Sequence, residues 1–373
     1  MKQQASDTDE SKTEGKARPL YQAIFDALRA EIEQGGYLKA FPSEAQLVRR
    51  FAASRQTVIQ AMRELVKAGL VERRQGSGTV VSRRVRQTLG RIGLIVPMLV
   101  PSPFTMALAE VGRQEGYSLM FREFNGKHPV MPIEKRTRNV VLLAQEVAES
   151  KVVGVLMQPV QNVAGFERIN SEMLDAFKKR RIPVVLVDHD AYFFPRRSGY
   201  DVVCMDNFHA GYDIGRHLVE RGATKIAFLM HGDWAPSVVD RLRGVTSAVV
   251  EAGLPWKHDR SVIDCRAEDE KSMMRALRTF RPDAIACGND IEAARLLKTL
   301  AKLGVSVPGE VRVTGIDDAS QSALLSPALT TVRQDFAQIA RIAARRLVWR
   351  IHNPDEPPVT IQTHGELIVR KST

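Results

Sequence analysis

The chain has 373 residues, enough at about 100–200 residues per domain for two or three units with cores of their own. Its 44% hydrophobic and 26% charged content excludes a disordered or collagen-like polymer. Cys204, Cys265 and Cys287 lie too far apart for a CxxC pair and no apolar run approaches membrane-span length, which leaves a cytoplasmic protein as the expectation.

The excess of 54 Lys+Arg over 43 Asp+Glu, a net +11, is not spread evenly. Residues 42–86 hold ten Lys or Arg against three acids, a local +7. Such a segment is an electrostatic footprint for a polyanion, although a solvated basic face has the same charge.

In chain order, the polar opening, MKQQASDTDESKTEGK, has no periodicity and lacks the apolar core of a signal peptide. Residues 1–17 are expected to form a disordered tail. Leu20, Tyr21, Ile24, Phe25, Leu28 and Ile32 then recur at helical spacing until Gly35-Gly36. Ser43 and Gln46 have the spacing of a capping box before a second helix of about three turns that turns Leu47, Val48 and Phe51 inward.

Ser54 can cap a third helix, whose Val58, Ala61, Met62 and Leu65 form one stripe. The tight Ala52-Ala53 link makes the pair a helix-turn-helix, and Arg55, Gln56 and Thr57 stand where major-groove base edges are read. Gly69 stops that helix. VERRQGSGTVV reads as two strands turning at Gly76-Ser77-Gly78, with Arg73, Arg74 and Gln75 at the bend. No third glycine or GK[ST] follows, so a nucleotide loop is not indicated.

The run P-S-E-x-x-L, S-R-x-T-V and G-L-V-x-R-R-x-G-x-G-T-x-V resembles the GntR-type winged helix over residues 18–82. The resemblance implies double-stranded operator DNA as partner. The candidate DNA-binding set is Ser43, Ser54, Arg55, Gln56, Thr57, Arg73, Arg74, Gln75 and Gly76; Ser43 and Ser54 read equally well as helix caps alone. Ala45 and Ile59 stand where the family commonly has Arg, so the operator sequence does not transfer.

After a polar, basic linker at 83–90, the pattern changes. Short β-branched runs alternate with helical segments from RIGLIVP to IPVVLVD, and the rhythm restarts at DVVCMD. This predicts an α/β region over 91–373, with two lobes of parallel sheet flanked by helices. Ligands of open α/β sheets sit beyond the carboxyl ends of strands. The expected positions are polar: Ser102 and Phe104, Gln158, Asp188 and Asp190, then His231, Asp233 and Trp234, Asn289-Asp290, and Asp317-Asp318. Carboxylates, an amide and rings suit a polyhydroxylated ligand, a sugar. Asp206, Asp290 and Asp318 are also expected to cap the helices that follow them.

IGLIVP, IPVVLVD, MDNFHAGYDIGRHLVERGATKIAFL, DRLRGV, PDAIACGND, VPGEVRVTGIDD and SPALTTVRQDF make this region similar to the LacI/GalR-type effector domain, which has the two-lobed periplasmic-binding-protein-like fold. The resemblance implies effector roles for Ser102, Phe104, Asp188, Arg241, Asn289 and Asp317. An arginine fork holds sugar oxygens or a carboxylate, so Arg241 leaves the ligand class open.

No GxSxG, HExxH, Walker loop or full GxGxxG is present, so no catalytic residue is assigned. No metal or cofactor is expected: Asp188-His189-Asp190 alternate in direction at a strand end. The reading is a homodimeric repressor on a near-palindromic operator, controlled by a sugar. The alternative is a carbohydrate-modifying enzyme with an accessory DNA-binding domain. A helix over Gln334–Trp349, with Ile339, Ile342, Ala343, Leu347 and Val348, is expected in the core or at the dimer interface.

Overall fold

The computed structural model describes residues 19–33, 37, 41–74, 78–82, 90–96, 103–123, 133–161, 163–232 and 235–373. The chain divides into two compact units, residues 1–89 with 115–117, and residues 90–114 with 118–373. The tail at 1–17 and all of the linker but Gly90 lie outside the described residues.

In the first unit α1 (Leu20–Glu33), α2 (Glu44–Phe51) and α3 (Arg55–Lys67) precede a hairpin of β1 (Val71–Arg74) and β2 (Gly78–Val81). Ile24, Leu28, Ile32, Leu47, Val58, Ala61, Met62 and Leu65 close one core with Val71 and Val81 from the hairpin. Ser43 forms the capping box: the Gln46 amide donates to its hydroxyl at 3.3 Å and its own amide donates to Gln46 Oε1 at 2.9 Å. Helix α2 is one turn shorter than the expected three, because Ala52 takes a left-handed φ of 45° and ends it. Ser54 caps α3 by accepting from the Thr57 amide at 3.1 Å. The hairpin is antiparallel, with Val71 opposite Val81.

The second unit begins with β3 (Arg91–Val96), α4 (Pro103–Glu115), β4 (Ser118–Glu123), α5 (Ile133–Glu149), β5 (Val152–Met157), α6 (Phe166–Lys178), β6 (Val184–Val187) and β7 (Asp201–Met205). It continues with α7 (Asn207–Glu220), β8 (Ile226–Met230), α8 (Pro236–Glu251), the short α9 (His258–Ser261), β9 (Val262–Asp264), α10 (Glu270–Phe280), β10 (Ala284–Cys287), α11 (Asp290–Lys302) and β11 (Arg312–Asp317). Last come β12 (Thr330–Arg333), α12 (Phe336–His352), β13 (Thr360–Thr363) and β14 (Glu366–Ile368).

These strands form two six-stranded sheets, ordered β13-β7-β6-β5-β3-β4 and β14-β12-β11-β10-β8-β9. The first is wholly parallel, and in the second only β14 runs antiparallel to its neighbour β12. Each lobe has its own apolar core.

One expectation is corrected here. DVVCM does not open the second lobe: as β7 it pairs with β6, Val185 beside Asp201, and with β13 on its other side. Its five residues are all buried, so their pattern fits the middle of either sheet. Long-range contacts decide. Asp201 accepts from Arg350 Nε at 2.8 Å and from Arg346 Nη2 at 3.0 Å, both on α12, which packs on β5, β6 and β7. Helix α12 starts at Phe336, where Asp335 accepts from the Gln338 amide at 2.8 Å, and runs to His352 rather than Trp349. It buries Ile339, Ala343 and Leu347, leaves Ile342 and Val348 half-buried, and is a core helix of the first lobe.

The chain therefore passes between lobes three times: from β7 to α7, from β12 to α12, and from β13 to β14. At the first crossing α7 and α8 meet backbone to backbone. A Cβ on Gly211 would overlap the Arg241 carbonyl oxygen, and one on Gly244 would overlap that of Phe208.

Candidate functional site

In the first unit, α3 buries Val58, Ala61, Met62 and Leu65 and so turns Arg55, Gln56, Gln60, Arg63 and Lys67 to solvent. Arg55 and Arg63 have no carboxylate within ion-pair reach among the described residues. Thr57 is half-buried, its hydroxyl 2.7 Å from that of Ser54. The hydroxyls of Ser43 and Ser54 both act as caps. Arg73 is exposed but held by Glu44 at 2.8 Å. Arg74 ends β1; its side chain, and the whole of Gln75 and Gly76, fall outside the described residues. Arg50 is tied back to Glu31 and Tyr37. The solvent face of α3 is thus cationic, rich in hydrogen-bond donors and begins at a helix N-terminus, an arrangement that fits a DNA groove.

In the second unit, a cleft of about 1190 Å³ is lined from both lobes. Its position follows from strand order. Each sheet reverses direction of growth once, between β3 and β5 and between β8 and β10, and such switch points open a crevice at the strand ends. Phe104, in the first turn of α4, Gln158 beyond β5 and Asp188 beyond β6 line it from the first lobe. His231, Arg241, Asn289 and Asp317 line it from the second. Ser102, Asp233 and Trp234 fall outside the described residues. Asp190 is not in the lining and instead accepts from the amides of Tyr192 and Ser198 in the loop after β6.

Arg241 is the central tie. It is only 4% exposed, and its Nε donates to Asn207 Oδ1 at 2.8 Å while Nη1 donates to the Gly288 carbonyl at 2.7 Å. Its Nη2 lies 3.6 Å from Asp317 Oδ1. One guanidinium thereby joins the first residue of α7, the end of β10 and the end of β11. Across the cleft Asp188, at a left-handed φ of 79°, accepts from Gln158 Nε2 at 2.9 Å. Burial pushes the Asp317 carboxyl up to about 7; Arg241 opposes that, and the negative charges of Asp290 and Asp188 add to it.

The expected caps resolve unequally. Asp206 does cap α7, accepting from the His209 amide at 2.9 Å. Asp290 does not cap α11; Asn289 does, through the Glu292 amide at 2.9 Å. Asp290 is buried and accepts from Thr331 Oγ1 and Ser322 Oγ, each at 2.6 Å, and from the Ala319 amide at 2.9 Å. It folds the loop after β11, and Gly315 supplies the room, since a Cβ there would strike its carboxylate. Asp318 is clamped by Arg333 at 2.8 Å and Arg370 at 2.6 Å, the bonds that hold its carboxyl below the usual range against the opposing effect of burial.

Sequence reasoning passed over Gln161, Ser237, Arg266, Arg295 and Arg333, all of which line the cleft. A rule extended from strand ends to the first turn of the following helix finds Ser237. Among the described residues no group of three His, Cys, Asp or Glu has metal-binding geometry, and no helix is long and apolar enough to cross a membrane.

The family model for bacterial regulatory proteins of the gntR family matches residues 20–81, and that of the periplasmic binding protein-like domain matches residues 216–373. The HTH-type transcriptional repressor PurR of Photorhabdus laumondii is 31% identical over 245 residues, which span 64% of this chain and 67% of that protein. The arabinose metabolism transcriptional repressor of Geobacillus stearothermophilus is 27% identical over 346 residues, 89% of this chain and 91% of its own. Among solved structures, the transcriptional regulator CelR–cellobiose complex superposes with a TM-score of 0.63 at 19% identity, over 95% of this chain and 98% of that one.

Proposed function

The chain belongs to the transcriptional regulators that join a GntR-type winged helix to a LacI/GalR-type effector domain, and from that premise we propose that it is a homodimeric cytoplasmic repressor released or engaged by a sugar. Sequence-specific DNA binding is the family's activity. On this reading α3 reads the operator through Arg55, Gln56 and Thr57, with Arg73, Arg74, Gln75 and Gly76 of the wing contributing contacts and Ser43 and Ser54 fixing the two helix starts. A two-fold pair of such heads asks for a near-palindromic operator.

The observation that carries the effector half is the cleft at both switch points, walled by two lobes that share three chain crossings. Donors and acceptors converge there in Arg241, Asn289, Asp317 and Asp188, with Phe104 as an apolar wall, a mixture suited to hydroxyls. The printed names of two similar proteins, a repressor of arabinose metabolism and a cellobiose complex, also favour a sugar. A ligand that binds the closed form of the lobes better than the open form shifts the pair of heads only by that difference in affinity.

The test has two steps. Full-length protein is first used to select duplexes from a random pool, which should yield a near-palindromic consensus. A panel of mono- and disaccharides is then screened by thermal shift, where a ligand at 100 times its Kd adds about 2.7 kcal/mol, and hits are repeated with the selected operator. No enriched consensus removes the operator reading, and a hit that leaves operator affinity unchanged removes the effector reading.

A further inference from the structure

Four arginines line the cleft: Arg241, Arg266, Arg295 and Arg333. Three are matched by carboxylates. Arg241 faces Asp317 at 3.6 Å, Arg295 is held by Glu268 at 3.0 Å and Glu292 at 2.7 Å, and Arg333 by Asp318 at 2.8 Å and Glu366 at 2.9 Å. Arg266 has no carboxylate within ion-pair reach among the described residues. Its Nε donates to His231 Nε2 at 3.3 Å. That bond requires a lone pair on Nε2, which puts the imidazole proton on Nδ1, facing Asp264 Oδ1 at 3.6 Å. His231 thus aims the guanidinium without neutralising it, and the Arg266 side chain lines the cleft.

A second observation points to the same corner. Ser237, in the first turn of α8, is 4% exposed and lines the cleft, yet its hydroxyl makes no hydrogen bond among the described residues. Pro236 has no N–H, and the amides of Val238 and Val239 both turn back to the Ala235 carbonyl. The Ser237 amide is left as one of the helix's orphan donors. Helix α8 follows β8 and Arg266 follows β9, and those strands are paired, Met230 beside Asp264. Ser237 and Arg266 thus lie on the segments that follow two adjacent strands, and both line the cleft.

We propose that this corner is an anion subsite, and that the effector is a sugar carrying a phosphate or carboxylate. The substituent lies on Arg266 and Ser237 while the hydroxylated ring lies on Arg241, Asn289, Asp317 and Asp188; the ring half of this statement rests on the sugar reading above. Strand spacing supplies the ruler. From β11 to β9 is three inter-strand steps, about 14 Å at about 4.8 Å each, more than one pyranose ring spans and within reach of a ring with a charged arm. A hydroxyl on the cleft wall, an amide at a helix start and an arginine with no carboxylate partner among the described residues are the donor set that oxyanions take.

Inorganic phosphate is the first probe, applied to full-length protein in thermal unfolding. Millimolar phosphate raises the melting temperature of the wild type, Arg266→Gln loses most of that rise, and Arg266→Lys recovers part of it. Matched sets follow: glucose, glucose 6-phosphate and gluconate; ribose, ribose 5-phosphate and ribonate. One charged member binds about tenfold or more tighter than its neutral partner, the advantage disappears in Arg266→Gln, and the two charged arms separate phosphate from carboxylate.

Equal phosphate response in wild type and Arg266→Gln overturns the subsite. Neutral sugars binding as tightly as charged ones overturns it too, while leaving the sugar reading intact. A phosphate response that depends on Arg266, with no sugar of either kind binding, upholds the subsite and removes the sugar reading.

Discussion

Replacing Arg241 by Met keeps much of the side chain's volume and removes its charge and donors. Two hydrogen bonds from a charged donor disappear, to Asn207 Oδ1 and to the Gly288 carbonyl. Each is worth about 1.5–3 kcal/mol, and both acceptors are left short of a partner. Two effects work the other way: a guanidinium no longer has to be stripped of water, and Asp317, already titrating near neutrality, can take a proton instead of standing as a lone charge. The net cost to the second unit is about 2–4 kcal/mol, a fall of roughly 3–7 °C in its melting transition. Binding of operator by the winged helix should persist, since that unit holds its own core, but the response to effector should vanish. Differential scanning calorimetry and fluorescence anisotropy on labelled operator measure the two halves. A variant that melts within about 1 °C of wild type and still answers effector would refute the assignment of Arg241 as the tie between α7, β10 and β11.

Three further outcomes are expected. Arg55→Ala should weaken operator binding by about 1–3 kcal/mol and relax selectivity at one position, whereas Lys67→Ala on the same helix should lower affinity evenly across sequences and flatten the salt slope; anisotropy against operator and scrambled duplex separates them. Gly211→Val should destabilise the second unit by more than about 3 kcal/mol, because the backbones of α7 and α8 must part, and a urea midpoint equal to wild type would contradict the close crossing. Because the folded carboxyl of Asp317 titrates near 7, well above its unfolded value, the folded state binds more protons between roughly pH 4 and 7. Stability contributed by that proton is present at the acid end and lost as pH rises to 7; in Asp317→Asn that component of the pH profile should be missing.

Much of this molecule can be read from local pattern. The caps at Ser43 and Ser54 depend on residues three positions away, and both form. Strand-end positions are also local once the strands are known, which is why Phe104, Asp188, Asn289 and Asp317 come together in one cleft; Arg241, in the middle of α8, is indicated only by the family resemblance. Features set by distant partners were not legible. An all-buried strand such as β7 suits either sheet, and only β13 and the Arg346 and Arg350 side chains, about 150 residues later in the chain, assign it. Asp290 looked like a cap because it begins a helix; its true partners, Ser322 and Thr331, lie beyond the next strand. Arg266 is unremarked in sequence because an arginine's significance depends on whether a carboxylate faces it.

The three passages of the main chain between lobes bear on how the protein emerges from the ribosome. The winged helix is contiguous from Leu20 to Val81, so its hydrophobic contacts are all available once the first quarter of the polypeptide is out. The first lobe has no such freedom: it borrows α12 and β13 from positions 336–363. During translation the winged helix therefore has its whole core available well before the first lobe can be completed. Truncation anywhere upstream of Thr363 strips a strand from the lobe that was begun first.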